Sequence, residues 1–162
     1  MHRRLFLAAL ALAPLLSACM APSSAPAPDN LMGRLAADPD LSTFTAMVQA
    51  AGLQGRLAGT GPYTVFAPTN AAFARLGQSR VAALMQPAHQ GELATLVMQM
   101  IGQDNFTPQM LAGQQLQIAT LGGGSVVADG KNGLAVNRVP VSGTAIAATN
   151  GTIYKLSRVI LR

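Results

Sequence analysis

One short stretch, residues 61–73, limits what this chain can fold into more than any other part of the sequence. Tyr63–Ala67 is a run of mostly apolar, strand-favouring residues, with a Gly-Pro pair in front of it and Pro68 behind. Thr69 and Asn70 follow, and their side-chain oxygens can accept hydrogen bonds from the free N–H groups that open a helix. Good or tolerable helix formers come next. The stretch predicts a buried strand that turns directly into a helix, and none of its side chains is an obvious reactive group.

This stretch, which reads GPYTVFAPTNAAF, resembles the first signature block of fasciclin domains, near GPFTVFAPTNEAF. A block near the C-terminus is similar to the family's second signature, near NGVIHVIDxVLLP. The matched residues, which we interpret as structural, are Thr64, Val65, Phe66, Ala67, Pro68, Thr69, Asn70, Phe73, Asn150, Gly151 and Ile153. The resemblance covers nearly all of residues 30–162. It implies one α+β domain, a wedge-shaped β-sandwich with a group of helices packed at one side.

One family block departs from the pattern. Fasciclin domains carry a Tyr-His pair before an aromatic block near YTSxDL, and here Met98 and Gln99 stand at that pair. Phe106 and Leu111 match the block that follows. In some family members the Tyr-His region is associated with integrin-type adhesion, so the resemblance does not carry that activity over. The amide of Gln99 has both donors and an acceptor, which allows a structural role to persist.

The N-terminus has the pattern of a secretory signal, predicted over residues 1–18. Two arginines precede an apolar run from Leu5 to Leu16, which is shorter than the ~20 residues of a membrane span. The last residues, ending in Ala18 and Cys19, resemble the bacterial lipobox, in which the cysteine is lipidated and becomes the mature N-terminus. By that resemblance Cys19 carries a diacylglyceryl thioether and an N-acyl chain such as palmitate. An ordinary signal with an incidental cysteine is the alternative.

Residues 19–29 are rich in Pro, Ser and Ala without apolar periodicity, so we expect an extended tether between the lipid and the domain. Met20 follows the cysteine, instead of the Asp that resembles an inner-membrane retention signal. We therefore expect the bacterial cell envelope, and in a diderm cell the outer membrane, with the domain facing the periplasm or the surface. With its one cysteine at the lipid, the chain is expected to fold by burial alone, without a disulfide.

Inside the domain the pattern predicts helices first and hairpins afterwards. Apolar residues at helical spacing predict helices from about Asp38 to Gly52, from Ser79 to Met85, and from His89 to Met100. Short alternating segments from Gln115 onward predict a meander of β-hairpins. We place its turns at residues 122–124 and 129–133, and a loop containing Pro140 and Gly143 before the last strands.

Charge does not indicate a nucleic-acid partner. The sequence contains eleven Lys and Arg, of which Arg3 and Arg4 belong to the predicted signal, so nine remain against six acidic residues. The high isoelectric point, near 10.4, reflects the small number of acids. The nine cations are scattered and no aromatic residues are interleaved with them, whereas nucleic-acid binding requires a basic cluster.

The sequence offers few groups for chemistry. His89 is the one histidine outside the predicted signal, and no nucleophile motif surrounds any serine. One histidine and isolated acids do not make a zinc site, and we expect no metal or cofactor. Three methionines, Met98, Met100 and Met110, have the soft ligands that copper(I) prefers, but filling of an irregular core explains them more simply.

These features predict a non-enzymatic, lipid-anchored binding module of the cell envelope, acting in adhesion or matrix contact. Its expected partners are the membrane, through Cys19, and an unidentified surface or matrix protein or glycan. The alternative is a periplasmic carrier or sensor that holds a small apolar molecule between helices and sheet. A hydrolase would require His89 beside a nucleophile and an acid. The adhesion role follows from the family resemblance, because a fold does not fix a function.

Overall fold

The computed structural model describes residues 28–160, so the predicted signal, Cys19 and most of the predicted tether lie outside the described residues. The helices, in chain order, are α1 (Leu31–Ala37), α2 (Ser42–Ala50), α3 (Gln54–Ala58), α4 (Asn70–Leu76), α5 (Gln78–Leu84), α6 (Gln90–Gln99) and α7 (Pro108–Leu111). The strands are β1 (Tyr63–Pro68), β2 (Ile101–Gln103), β3 (Gln115–Ala119), β4 (Ser125–Asp129), β5 (Ala135–Val136), β6 (Val139–Pro140), β7 (Ile146–Ala148) and β8 (Gly151–Leu156). Two short 3₁₀ turns, Pro39–Leu41 and Pro87–His89, precede α2 and α6.

The first sheet has the strand order β2-β1-β8-β7. Its centre is a parallel pair, in which β1 runs beside β8 from Tyr63 opposite Gly151 to Pro68 opposite Leu156. Nearly every residue of both strands is buried. This burial explains their near-continuous apolar character, since a strand covered on both faces does not alternate. The parallel pair therefore joins two segments that are far apart in the sequence.

The second sheet, β3-β4-β5-β6, is an antiparallel meander, as the sequence predicts for this region. Val126 and Ala128 on β4 are buried, and the residues between and beside them are partly exposed. This alternation is typical of a sheet with one face on the core and the other facing solvent.

The core has two parts, one on each face of the first sheet. Val65 and Ala67 point to the helices, where Phe44 and Met47 of α2 belong to the same buried cluster. Phe66, which alternates with them, lies in the cluster between the sheets. Its ring stacks on that of Tyr154, with centroids 5.9 Å apart. The layers are therefore helices, first sheet and second sheet, which confirms the α+β arrangement.

The predicted helices are present with small shifts at their ends. The helix predicted from Asp38 begins as the 3₁₀ turn and continues as α2, because Asp38 caps the turn by accepting a hydrogen bond from the Asp40 N–H (3.0 Å). Between α2 and β1 the chain forms the short helix α3, which buries Leu57. Helix α1 and strand β2 were not predicted. Strand β7 was predicted as part of the hairpin meander, and that was wrong because it pairs with β8 in the first sheet.

Candidate functional site

Asn70 joins the end of β1 to the start of α2. Its Nδ2 donates to the carbonyl of Pro39 (2.9 Å), and its Oδ1 accepts from the Thr43 N–H (3.0 Å) and lies 3.3 Å from the Ser42 hydroxyl. Thr69, instead of Asn70, is the N-cap of α4, with its hydroxyl accepting from the Ala72 N–H (3.3 Å). The sequence identified both residues as the turn into a helix. The structure adds that Asn70 secures a second, distant helix start.

Asn150 has the corresponding role before β8, but it is more deeply buried. Its Oδ1 accepts from the Leu31 N–H (2.7 Å) at the start of α1. Its Nδ2 donates to the carbonyls of Leu57 (2.9 Å) and Gly59 (2.6 Å) around the end of α3. One buried amide therefore satisfies backbone groups of two helical segments, and such groups are costly to leave unpaired.

Three hydroxyls of the central strands hold the loop after β2. Thr64 donates to the carbonyl of Asp104 (2.8 Å) and accepts from the Phe106 N–H (2.9 Å). Thr152 donates to the side chain of Asn105 (2.7 Å), and the Tyr154 hydroxyl donates to the carbonyl of Phe106 (2.7 Å). The Tyr154 side chain is otherwise buried. These hydroxyls therefore have a structural role, since they bond to backbone groups and to the Asn105 side chain of that loop.

Burial raises the pKa of Tyr154 to about 12, from an ordinary value of 10.0. Because the folded state keeps this proton while the unfolded chain loses it, the free energy of unfolding falls as pH rises from about 10 to 12, by roughly 2–3 kcal/mol. The pKa of Lys155 is also raised, by its contacts with Asp38, so it too lowers the free energy of unfolding as the pH rises above 10.5.

We expect Tyr154→Phe to be less stable than the native protein at neutral pH, since the hydrogen bond of the hydroxyl is lost. Its free energy of unfolding should also fall less steeply with pH in the alkaline range. Urea unfolding of the native protein and the variant from pH 8 to 11.5 measures both effects. An equally steep fall of the free energy of unfolding in the two proteins would contradict a raised pKa at Tyr154.

Lys155 forms the one ion pair of the described residues in which both side chains are mostly buried. Its ammonium group contacts Asp38, with side chains 19% and 16% exposed, and lies 3.4 Å from a carboxylate oxygen of Asp40. This pair ties β8 to the 3₁₀ turn before α2. The sequence identified both aspartates as helix-start residues, which is confirmed for Asp38, but it gave no sign of the lysine partner.

Residues 28–160 carry several concave surfaces, of which one lies on the helices and another on the second sheet. The first, which we call the helix groove, is an open depression of about 440 Å³ beside α2, α4 and α5. Its lining includes Asn70, Phe73, Val81 and Met85, and Met85 is one of the exposed large apolar side chains. The groove is mainly apolar and accommodates an apolar group.

The second, which we call the sheet groove, lies on β3, β4 and β5 and has a volume of about 600 Å³. It is lined by Gln115, Val127, Asp129, Ala135, Asn137 and Arg138, among others. Amide, carboxylate and guanidinium groups thus surround a floor of small apolar side chains. Chemically, this surface can donate and accept hydrogen bonds and hold a negative charge.

Reactive groups do not converge in the described part of the chain. His89 lies at the surface, and its Nδ1 is 3.3 Å from a carboxylate oxygen of Glu92. Within residues 28–160, no three His, Cys, Asp or Glu side chains are placed to hold a metal ion. The helices of that range are also too short or too polar to cross a bilayer.

A family model named Fasciclin domain matches residues 39–162. The chain belongs to the Fasciclin domain family. Among curated relatives, protein sll1483 of Synechocystis sp. is 36% identical over 123 residues, which are 74% of this chain and 66% of that protein. Uncharacterized protein sll1735 of the same organism is 32% identical, over 82% of this chain and 97% of that protein.

A larger relative is Transforming growth factor-beta-induced protein ig-h3 of Sus scrofa, which is 34% identical over 81% of this chain but only 19% of its own length. The chain therefore spans slightly less than two thirds of sll1483 and about a fifth of ig-h3. A solved FAS1 domain pair from the insect cell adhesion molecule fasciclin I matches with a TM-score of 0.72 and 16% identity. That match covers 82% of this chain and 51% of the other, and it confirms the fold.

In this Fasciclin domain the two signature blocks are neighbouring strands. Val65 of the first block lies opposite Ile153 of the second, in the parallel pair at the centre of the first sheet. The Asn of each block, Asn70 and Asn150, bonds the helices that pack beside these strands. The contacts of the blocks are therefore directed into the fold.

The position of the family's Tyr-His pair lies at the end of α6. Met98 and Gln99 are both partly buried there. The Met98 carbonyl accepts from the Gly122 N–H (3.1 Å), and a Cβ at Gly122 would lie 2.9 Å from Cγ of Gln99. Met98 and Gln99 are thus packed closely against the turn between β3 and β4. No signal in the sequence identified either groove, because each groove exists only once separate strands or helices are packed side by side.

Proposed function

We propose that this Fasciclin domain is a non-enzymatic binding module, held at the bacterial cell envelope by a lipid on Cys19, and that it contacts a surface or matrix macromolecule. The observation that carries the binding role is the sheet groove, a polar concave surface of about 600 Å³. Its volume falls within the roughly 300–1,000 Å³ of known ligand pockets. Its lining is also distinct from the residues that form the Asn70, Asn150 and Tyr154 contacts.

Adhesion is the form of binding that we propose. The solved neighbour with the same fold comes from an insect protein named as a cell adhesion molecule. A tether between the lipid and the domain would let the domain reach beyond the membrane surface. Such a module needs recognition groups and no catalytic ones.

The anchor has its own test. Cys19→Ala is expected to abolish incorporation of labelled palmitate and to leave an unprocessed precursor, since the thiol is the nucleophile that forms the thioether. Several acyl chains hold a protein at a membrane where a single chain does not, at about 0.8 kcal/mol per buried methylene. Labelling is followed by gel and mass spectrometry of the N-terminal peptide. Ser17→Thr, a change that keeps Cys19, serves as a processing control. Normal labelling of the Cys19→Ala protein would rule out the anchor.

A second candidate function, carrying a small apolar molecule, is favoured by the helix groove. Phe73, Val81 and Met85 offer an apolar surface there, although the groove is open to solvent at Met85. Affinity capture with the full-length protein from native envelope extract separates the two functions. Enrichment of a protein or glycan supports the binding module. A co-purifying apolar small molecule without an enriched macromolecule would replace it with the carrier.

A further inference from the structure

We propose that the sheet groove binds an acidic saccharide, in which the carboxylate of a uronic-acid residue pairs with Arg138. This inference rests on the proposed function and names its partner chemistry. Arg138 occupies the tip of the β5–β6 hairpin, and its side chain lines the groove together with those of Asn137 and Asp129.

The backbone at Arg138 has a conformation that is unfavourable for arginine. Residues 137 and 138 form a two-residue hairpin turn in which both have positive φ, 48° for Asn137 and 66° for Arg138. Such turns favour Asn-Gly, because glycine adopts this conformation without a steric penalty. Asn137 suits its place, and its Oδ1 accepts from the Val127 N–H (2.8 Å). An arginine in the glycine-favoured position costs conformational energy, and a strained residue beside a concave surface indicates a functional constraint.

The positive charge of Arg138 is not neutralised by an ion pair with another of the described residues. Among the described residues, no carboxylate lies within ion-pair distance of its guanidinium. The nearby Asp129 directs Oδ1 to the Lys131 N–H (3.0 Å), which stabilises its own turn. A guanidinium presents parallel donors that match both oxygens of a carboxylate.

The remaining lining suits the hydroxyl groups and the ring of a sugar. Gln115 and Asn132 present amide groups to the groove. Each amide has an N–H donor beside a carbonyl acceptor, so it can bond a sugar hydroxyl, which both donates and accepts. Val127 and Ala135 supply a small apolar floor, which suits the C–H face of a sugar ring. The volume of about 600 Å³ accommodates a short oligosaccharide.

Isothermal titration of full-length protein in detergent with trigalacturonic acid tests the proposal, with neutral maltotriose and hexaglutamate as comparison ligands. We expect saturable binding of trigalacturonic acid alone. Arg138→Gln should weaken binding at least tenfold, as expected for loss of a charged hydrogen-bonded pair. The matched control is Arg56→Gln, which removes an exposed arginine on α3 that does not line the groove, and it should bind as the native protein does.

Arg138→Gly separates binding from folding. This variant should lose binding in the same way, yet its Tm should rise by about 2–5 °C because glycine relieves the turn. No binding of trigalacturonic acid, equal binding by Arg138→Gln, or equal binding of hexaglutamate would overturn the proposal. If envelope capture still enriches a macromolecule in that case, the binding module stands and only the acidic saccharide fails.

Discussion

Replacing Asn150 with alanine is expected to lower the free energy of unfolding by about 3–5 kcal/mol. The change removes three hydrogen bonds at once, to the Leu31 N–H and to the carbonyls of Leu57 and Gly59. Each backbone group that stays buried without a partner costs roughly 1–3 kcal/mol. Asn150 is 8% exposed, so water replaces these bonds poorly. Urea unfolding at neutral pH, followed by circular dichroism, measures the loss.

Asn132→Ala is the matched control for this measurement. Asn132 is exposed in the turn between β4 and β5, so its replacement should change stability by no more than about 0.5 kcal/mol. If Asn150→Ala is as mild as this control, the amide is not the joint between α1, α3 and β8. If Asn150→Ala stays stable but no longer binds the envelope partner, Asn150 belongs to the binding site instead.

Gly151→Ala is expected to cost about 3 kcal/mol or more, for a steric reason. A Cβ at this position would lie 1.9 Å from the carbonyl oxygen of Tyr63 and 3.0 Å from Cδ1 of Leu31. The oxygen belongs to the backbone of the neighbouring strand, so relief requires β1 and β8 to move apart. Overpacking of this kind costs about 1–3 kcal/mol when side chains can adjust, and more when the backbone must shift.

Gly91→Ala makes the same chemical change where there is room for it. Gly91 lies in α6, and nothing is within 4 Å of its added Cβ. Alanine there should stabilise the protein by about 0.5–1 kcal/mol, because glycine is the poorer helix former. The pair of variants should therefore shift the denaturation midpoint in opposite directions. A shift of the same sign and size in both would mean that the close approach at Gly151 is relieved easily.

Local patterns predicted the parts of the fold that depend on local physics. The helices α2, α5 and α6 follow from apolar spacing, and the joint at Thr69 follows from capping chemistry. The meander of the second sheet follows from alternation and glycine-rich turns. Helix α1 has seven residues, as α5 does, but it was missed because it directly follows the Pro-rich segment that was interpreted as a tether.

The parallel pairing of β1 with β8, in contrast, could not be predicted from local patterns. Its partners, Tyr63 and Gly151, lie far apart in the sequence, and a strand pattern carries no information about which strand it will join. The resemblance to fasciclin domains supplied the architecture, and the matching family model and solved neighbour confirm it. The hairpin at Asn137 and Arg138 was missed because it lacks the glycine by which such turns are recognised.

The candidate site was the least predictable part. The sequence indicated that catalytic groups were few, but a groove exists only once separate strands are placed side by side. Arg138 was interpreted as one of several scattered surface cations, and its position in the sheet groove follows from the β5–β6 register. The signature residues, in contrast, were interpreted as structural, and two of them, Asn70 and Asn150, hydrogen-bond the helices beside the central strands.

An equilibrium binding isotherm tests the central claim most directly. Fluorescently labelled full-length protein in detergent is titrated with isolated cell envelope and, separately, with extracellular matrix. We expect saturable binding to one of them that excess unlabelled protein displaces and that is lost when the protein is unfolded with urea beforehand. Uptake that rises linearly without saturation, or that is the same for the unfolded protein, would contradict a binding module that acts through its folded domain.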